Sequence, residues 1–369
     1  MAILLTENCI GCGACKESCL PGSVQLHRDP DGFIRAYISE DGCTGCGRCK
    51  IVCPQLRSLK MTPHEVLAYQ NPDKKVLMMS QSGGAFAALA QVVIREGGTV
   101  FGVQWTRDCT DVEFAKATTL EDVQNFSGSK YIPADLSKIF STLKNSVKSG
   151  HLTLFSGLPC QVAAVRNLLP RRNNLLLVEL LCMGPMSPAV WQHLRAKMPP
   201  KLKNFLLRDK RRRGWGYPDA SLELINGDLR LFSSQRYPPW QLFARGATMS
   251  ASCLHCKFRS LERVADITLG DFWGIERWID LPEEVRRQGI SIIHAQTEIG
   301  HNFVNLLENG VLGRFTNLEE LTKFNGGYGT LPSEIIRRQE AFQRWTKRIG
   351  LRGAVSLTSI MEKLGRHFP

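Results

Sequence analysis

Cys9-Ile10-Gly11-Cys12-Gly13-Ala14-Cys15-Lys16-Glu17-Ser18-Cys19 is answered further along by Cys43-Thr44-Gly45-Cys46-Gly47-Arg48-Cys49-Lys50-Ile51-Val52-Cys53-Pro54. Both runs place four cysteines in C-x2-C-x2-C-x3-C spacing. Three thiolates so spaced turn onto one face of an iron–sulfur cubane, and the fourth points away to a neighbouring cluster. The duplicated run therefore predicts two [4Fe–4S] clusters with crossed ligation. Cys9, Cys12, Cys15 and Cys53 would hold one; Cys43, Cys46, Cys49 and Cys19 would hold the other. Gly11, Gly13, Gly45 and Gly47 suit a chain that wraps closely around a cluster. Zinc usually takes one tetrahedral quartet built from two pairs with a longer gap, so two matched quartets favour iron–sulfur. In the first run the proline, Pro21, comes one place late, with all eight thiols present.

Working outward, Ser23-Val24-Gln25-Leu26 and Phe33-Ile34-Arg35-Ala36-Tyr37-Ile38 read as short strands around an Asp29-Pro30-Asp31-Gly32 turn. This is the plan of a small bicluster ferredoxin over residues 1–62, followed by a linker at Met61-Thr62-Pro63-His64. The whole chain has 369 residues, 43% hydrophobic and 22% charged, which excludes a disordered or collagen-like protein. No apolar run is long enough to span a membrane, and Met1 to Thr6 is too short for a signal peptide. A cytoplasmic protein is expected, with its thirteen cysteines reduced or metal-bound rather than paired.

From residue 65 the pattern becomes alternating strands and helices. Val76 to Met79 reads as a strand, Ala85 to Glu96 as a helix closed by Gly97-Gly98, and Thr99 to Val103 as a strand. Helical spacing from Leu136 to Val147 ends at Gly150. His151 to Phe155 and Leu175 to Leu181 read as strands joined through a helix over Gln161 to Leu169, a βαβ unit. The expected fold class is α+β, with the ferredoxin-like domain followed by a larger mixed α/β domain over 65–335 and a basic helical tail over 336–369. Small-residue loops at Ser82-Gly83-Gly84 and Gly128-Ser129-Lys130-Tyr131 offer backbone N–H groups to an anion, or simply turn the chain.

Cys160 and Cys182 follow consecutive strands, at the sheet edge where open α/β folds bind ligands. With the C-x2-C pair Cys253 and Cys256 they supply a third quartet, enough for a third [4Fe–4S] cluster, leaving only Cys109. A zinc site at Cys253 and Cys256, or buried free thiols at Cys160 and Cys182, are the alternatives.

The net charge of +13 is uneven. Residues 201–213 hold seven basic and one acidic side chain, and residues 337–369 eight and two. Solvated basic faces, an anionic cofactor, an acidic protein partner or nucleic acid would each account for them. Arg208 to Tyr217 combines cations with Trp215 and Tyr217, suited to a pyrophosphate beside a flat ring or to a base. Asp271-Phe272-Trp273-Gly274 reads as a strand-to-turn corner or as part of a site.

In order, these motifs resemble the family of the coenzyme F420 hydrogenase/dehydrogenase beta subunit, here with a 2[4Fe–4S] ferredoxin domain in front. The matching pieces are Ser82-Gly83-Gly84, Gly97-Gly98-Thr99-Val100-Phe101-Gly102, Gly128-Ser129-Lys130-Tyr131, Gly157-Leu158-Pro159-Cys160-Gln161, Cys182-Met183-Gly184, Arg208-Asp209-Lys210-Arg211, Cys253-Leu254-His255-Cys256 and Asp266 to Gly274. The resemblance implies an FAD-binding domain with its own cluster. It makes Ser82, Gly83, Gly84, Gly128, Ser129, Lys130, Tyr131, Arg208, Lys210 and Arg211 candidate FAD contacts. Relatives reduce coenzyme F420 or chlorophyll intermediates, and others accompany surface-polysaccharide synthesis. Departures at Leu158, at Met183 and near Val112-Glu113-Phe114 bear on the substrate more than on the fold.

The expectation is an iron–sulfur flavoprotein oxidoreductase. One-electron clusters feed a flavin able to carry two electrons, with ferredoxin or another acidic carrier as partner and a small-molecule substrate. No catalytic residue stands out; His151, His255 and Lys130 are the candidates for a proton donor. A homo-oligomer is compatible with this reading. The alternative is an electron-transfer subunit of a larger redox complex without its own substrate. A nucleic-acid-binding role, which would give a steep salt dependence and no flavin, ranks below both.

Overall fold

The computed structural model describes residues 2–62, 65–169, 173–233, 238–317, 320 and 323–363. The N-terminal unit holds strands β1 (Ala2–Leu4), β2 (Val24–Arg28) and β3 (Ile34–Ser39) in a three-stranded antiparallel sheet of order β1-β3-β2. The β2–β3 hairpin turns where Asp29 does three jobs. Its carboxylate accepts from the backbone N–H groups of Asp31 and Phe33 and from the Arg35 guanidinium. Short helices at Ala14–Ser18 and Arg48–Ile51 each begin at a left-handed glycine, Gly13 and Gly47. The linker expected over Met61 to His64 lies partly outside the described residues. Met61 itself pairs with Arg263 as an isolated antiparallel bridge.

The larger unit is built on eight strands. They are β4 (Glu65–Tyr69), β5 (Thr99–Trp105), β6 (Val112–Ala117), β7 (Thr153–Gly157), β8 (Leu175–Leu180), and, later in the chain, three that follow a separate small sheet. That small antiparallel sheet comprises β9 (Leu202–Asp209), β10 (Asp219–Leu224) and β11 (Leu229–Ser233). The last three main strands are β12 (Ile267–Asp271), β13 (Ser291–Ala295) and β14 (Val311–Phe315). The main order is β14-β4-β13-β12-β8-β7-β5-β6. Its four central strands, β12, β8, β7 and β5, run parallel, and the flanking pairs are antiparallel.

Successive residues on these strands point to opposite faces, and both faces are covered. Phe101, Phe155, Leu175 and Leu177 join the core with Phe140, Leu143, Val162 and Trp191. Val100, Leu154, Leu176 and Val178 face the core with Leu89, Val93 and Phe126. Burial on both sides is what parallel strands require, and it accounts for the unbroken apolar runs in β7 and β8. Residues 76–79, expected as a strand, lie instead in the helix Lys74–Met79. Asp73 overrides the β-branched, apolar signal by accepting from the N–H groups of Lys75 and Val76. The sheet strand in this region is β4. The basic C-terminal segment forms the helix Ser333–Lys363, kinked at Gly350. It is packed through the buried Ala341, Phe342, Ala354 and Val355. Among the described residues, no helix is long and apolar enough to cross a membrane.

Candidate iron–sulfur and flavin site

The fold collects the cysteines into neighbouring groups. Cys12 is buried within electrostatic reach of Cys9, Cys15 and Cys53. Cys15 in turn feels Cys49, whose own thiol neighbours are Cys19 and Cys43. Cys9, Cys12, Cys15 and Cys53 thus lie near one another, as do Cys19, Cys43 and Cys49. The two groups differ in exposure: Cys9, Cys12, Cys15 and Cys53 are buried, whereas Cys43 and Cys46 are exposed.

The third quartet assembles at the C-terminal ends of the central strands. Cys160 follows β7 and sits in the first turn of the helix Pro159–Leu168, where the helix dipole favours a thiolate. Cys182 lies just beyond β8, and its sulfur accepts from the N–H of Gly184 at 3.3 Å. Cys253 lies in the short helix Ala251–Leu254, with Cys256 beyond it. All four line one cavity together with Cys9, Gly11 and Arg35 of the N-terminal unit. Cys160 feels the charge of Cys256, Cys182 and Cys253, and also that of Cys12.

Burial, and then the charge of their neighbours, pushes these thiols up: Cys182 to about 11, with Cys160 and Cys253 raised as well. The same holds for Cys15, raised to about 12. Buried thiols that repel one another as anions call for a cationic centre among them. That donor chemistry fits an iron–sulfur cluster in the two buried groups. Cys109, the remaining cysteine, is apart from the quartets and donates to the Lys203 carbonyl at 3.6 Å.

Beside the third quartet the candidate flavin loops converge. Gln81 links two of them to β9: its amide donates to the Arg208 carbonyl at 2.7 Å, and its oxygen accepts from the Ser129 N–H at 3.4 Å. Lys210 Nζ donates to the Ser82 carbonyl at 2.5 Å and to the Gln288 carbonyl. The Arg208 guanidinium pairs with Asp271 at 2.6 Å, meets the Tyr131 hydroxyl, and lies 5.0 Å over the Trp273 ring. Trp273 stacks on Trp215 at 4.1 Å and 6°, and Trp215 Nε1 donates to Asp271 at 3.0 Å. Met186, in the segment following Cys182, donates its N–H to the Tyr131 carbonyl at 2.7 Å.

Two buried cations lie here, both within reach of Asp271. Arg208 Nη2 has no partner among the described residues. Lys210 is buried and held only by carbonyls, and burial pushes its ammonium down to about 7. Such a pair fits an anionic group such as a diphosphate. Two expected contacts behave differently. Lys130 turns onto the carbonyls of Asn125 and Ser127, at 2.9 and 2.8 Å. Arg211 is held by Asp209. The glycines at 83 and 128 serve packing: a Cβ at Gly83 would stand 2.2 Å from the Tyr69 carbonyl oxygen, and one at Gly128 2.3 Å from Leu206. The basic run itself is largely neutralised, with Arg208 on Asp271, Arg211 on Asp209, and Arg212 and Arg213 on Asp219. Asp271, Trp273 and Gln288 are the additions that linear reading did not place. The Asp271 to Gly274 corner was the available signal.

An iron–sulfur electron-transfer protein is the class that this fold and these thiol groups define. Residues 2–61 match the 4Fe-4S dicluster domain. Residues 151–319 match the C terminus of the coenzyme F420 hydrogenase/dehydrogenase beta subunit, so the chain carries the two matches one after the other. A solved structure, a xenon derivative of the F420-reducing [NiFe] hydrogenase complex from Methanosarcina barkeri, contains a similar chain. It is 16% identical with a TM-score of 0.46, over 78% of this chain and 94% of that one. No curated protein matches.

Proposed function

We propose that this chain is a cytoplasmic iron–sulfur flavoprotein oxidoreductase with three [4Fe–4S] clusters and one FAD. The observation that carries the reading is the position of Cys160, within reach of Cys12 on one side and of Cys182, Cys253 and Cys256 on the other. This supports a third quartet lying next to the dicluster domain. Electrons would enter at the exposed Cys43 and Cys46 and pass inward through the buried Cys9, Cys12, Cys15 and Cys53 group. Arg208, Lys210, Tyr131 and Ser129, with the Ser82 loop, would hold FAD, which supplies conversion between one- and two-electron transfer. Arg208 and Lys210 bind and orient its diphosphate, while the stacked Trp215 and Trp273 exclude water beside it. The partner on this reading is ferredoxin or another acidic carrier. The substrate is a small molecule taking two electrons, coenzyme F420 or a sugar precursor of polysaccharide synthesis.

Anaerobic purification with iron, sulfide and flavin counted on one sample tests this. About twelve irons and one FAD are expected, with about four irons lost in Cys160→Ser. Iron without flavin, even after reconstitution with FAD, would overturn the enzyme. The second reading, a subunit of a larger redox complex, is favoured by the exposed Leu20, Ile51, Leu56 and Leu59 on the dicluster domain. It predicts a flavin-loaded chain that turns over no substrate alone.

A further inference from the structure

We infer that Arg259 tunes the third cluster, raising its reduction potential. The inference rests on the proposed third quartet. Arg259 is buried, and it lines the same cavity as Cys160, Cys182, Cys253 and Cys256. Its position is fixed from both sides: its N–H bonds the Cys256 carbonyl at 3.4 Å, and its Nε donates to the Gly329 carbonyl at 3.0 Å. Nη2 reaches the Tyr328 carbonyl at 3.4 Å, and Nη1 has no partner among the described residues.

Four other cations lie near the quartet: Lys257, beside Cys256, donates to the Gln55 carbonyl, and the remaining three each have a carboxylate. Arg263 is paired with Glu179, Arg35 with Asp29, and Lys60 with Glu262. Arg259 forms no ion pair among the described residues, and its charged neighbours are the thiols of Cys256, Cys182 and Cys253. A buried charge without a counter-ion is costly. Here the negative cluster would be the counter-ion. Each electron added makes that cluster more negative, so a fixed positive charge favours its reduced form. With clusters in both groups, the electron given up by the dicluster domain would be the one gained by the third, with no proton moved, and Arg259 would favour that inward step.

The test is an EPR-monitored redox titration of the anaerobic holoprotein, with iron counted on each sample. Cys160→Ser identifies the third cluster by the signal it removes. Arg259→Gln is expected to weaken reduction of that cluster about tenfold, a fall of about 59 mV for one electron. Arg259→Lys, which keeps the charge, should stay near wild type. Arg259→Met, which keeps the bulk without the charge, carries the test if Arg259→Gln loses iron. Full iron with unshifted potentials in either neutral variant would overturn the role of Arg259. If Cys160→Ser loses no iron relative to wild type, the third quartet itself is wrong, and the inference falls with it.

Discussion

The hydroxyl of Ser252 donates to the carbonyl of Cys9 at 2.8 Å. This bond joins the backbone of a cysteine in the dicluster domain to the residue preceding Cys253 in the larger domain. Arg35 lies across the same junction. Its guanidinium donates to the Cys9 carbonyl, to Ser252 Oγ at 2.7 Å and to Ser250 Oγ at 2.9 Å, while Asp29 holds its other edge at 2.9 Å. The spacing between two thiol groups is therefore set by hydrogen bonds rather than by a loose linker.

Removing those bonds should loosen the junction without emptying the quartets. Arg35→Met leaves Asp29 and three acceptors short of a donor and should lower stability by about 2–3 kcal/mol; Ser252→Ala should cost about 1 kcal/mol. Anaerobic denaturant titration reads both, with iron content unchanged. A wild-type midpoint for Arg35→Met would mean that other contacts hold the domains, such as Asn167 to the Arg57 carbonyl at 2.7 Å.

The loop at Ser82 to Gly84 should prove intolerant of a methyl group for reasons of packing. An alanine Cβ at position 83 meets the Tyr69 carbonyl oxygen at 2.2 Å and the Ser291 nitrogen at 2.4 Å, both backbone atoms that cannot step aside. Gly83→Ala should cost about 1–3 kcal/mol or more. Gly216→Ala, where a Cβ meets nothing within 4 Å, should stay within about 0.5 kcal/mol of wild type. Thermal melts of the two variants separate packing from any contact with flavin.

Cys109 offers a control for the cysteine arithmetic. It is fully buried, its backbone has a φ of 55°, and its sulfur points at the Leu202 and Lys203 carbonyls. Cys109→Ala should leave iron and sulfide content unchanged. A loss of about four irons would place it in a cluster and break the division into three quartets.

The two N-terminal quartets were legible because their spacing is local chemistry: a cubane dictates which thiols lie three apart. The βαβ unit from β7 to β8 was legible from its apolar runs and glycine turns. The helix at Lys74–Met79 was not, because one side chain, Asp73, decides it. The cations around Arg208 were open to a solvated face, an anionic cofactor, an acidic partner or nucleic acid, and the run did not show that Asp209, Asp219 and Asp271 pair with them. Asp271 lies far along the chain from Arg208, and nothing in a linear run announces that β9 and β12 bring the pair to 2.6 Å. The orientation of Lys130 was equally hidden, since its partners are backbone carbonyls of its own loop.

Lys210 gives a prediction in pH. Burial is the main cause that brings its ammonium from an ordinary 10.5 to about 7 in the folded chain. Between those values the folded protein has released a proton that the unfolded chain keeps. Stability should therefore rise as pH goes from about 7 to about 10, and below 7 the buried charge weighs in full. Lys210→Met should flatten that part of the profile. A bound diphosphate would raise the pKa of Lys210 again, so flavin binding should take up a proton and weaken as pH rises through 7. Paired measurements decide it: thermal melts of flavin-free protein and FAD titrations, each from pH 6 to 10, for wild type and Lys210→Met. Parallel melting curves would show that Lys210 keeps an ordinary pKa. A pH-independent FAD affinity in wild type would remove Lys210 from the diphosphate.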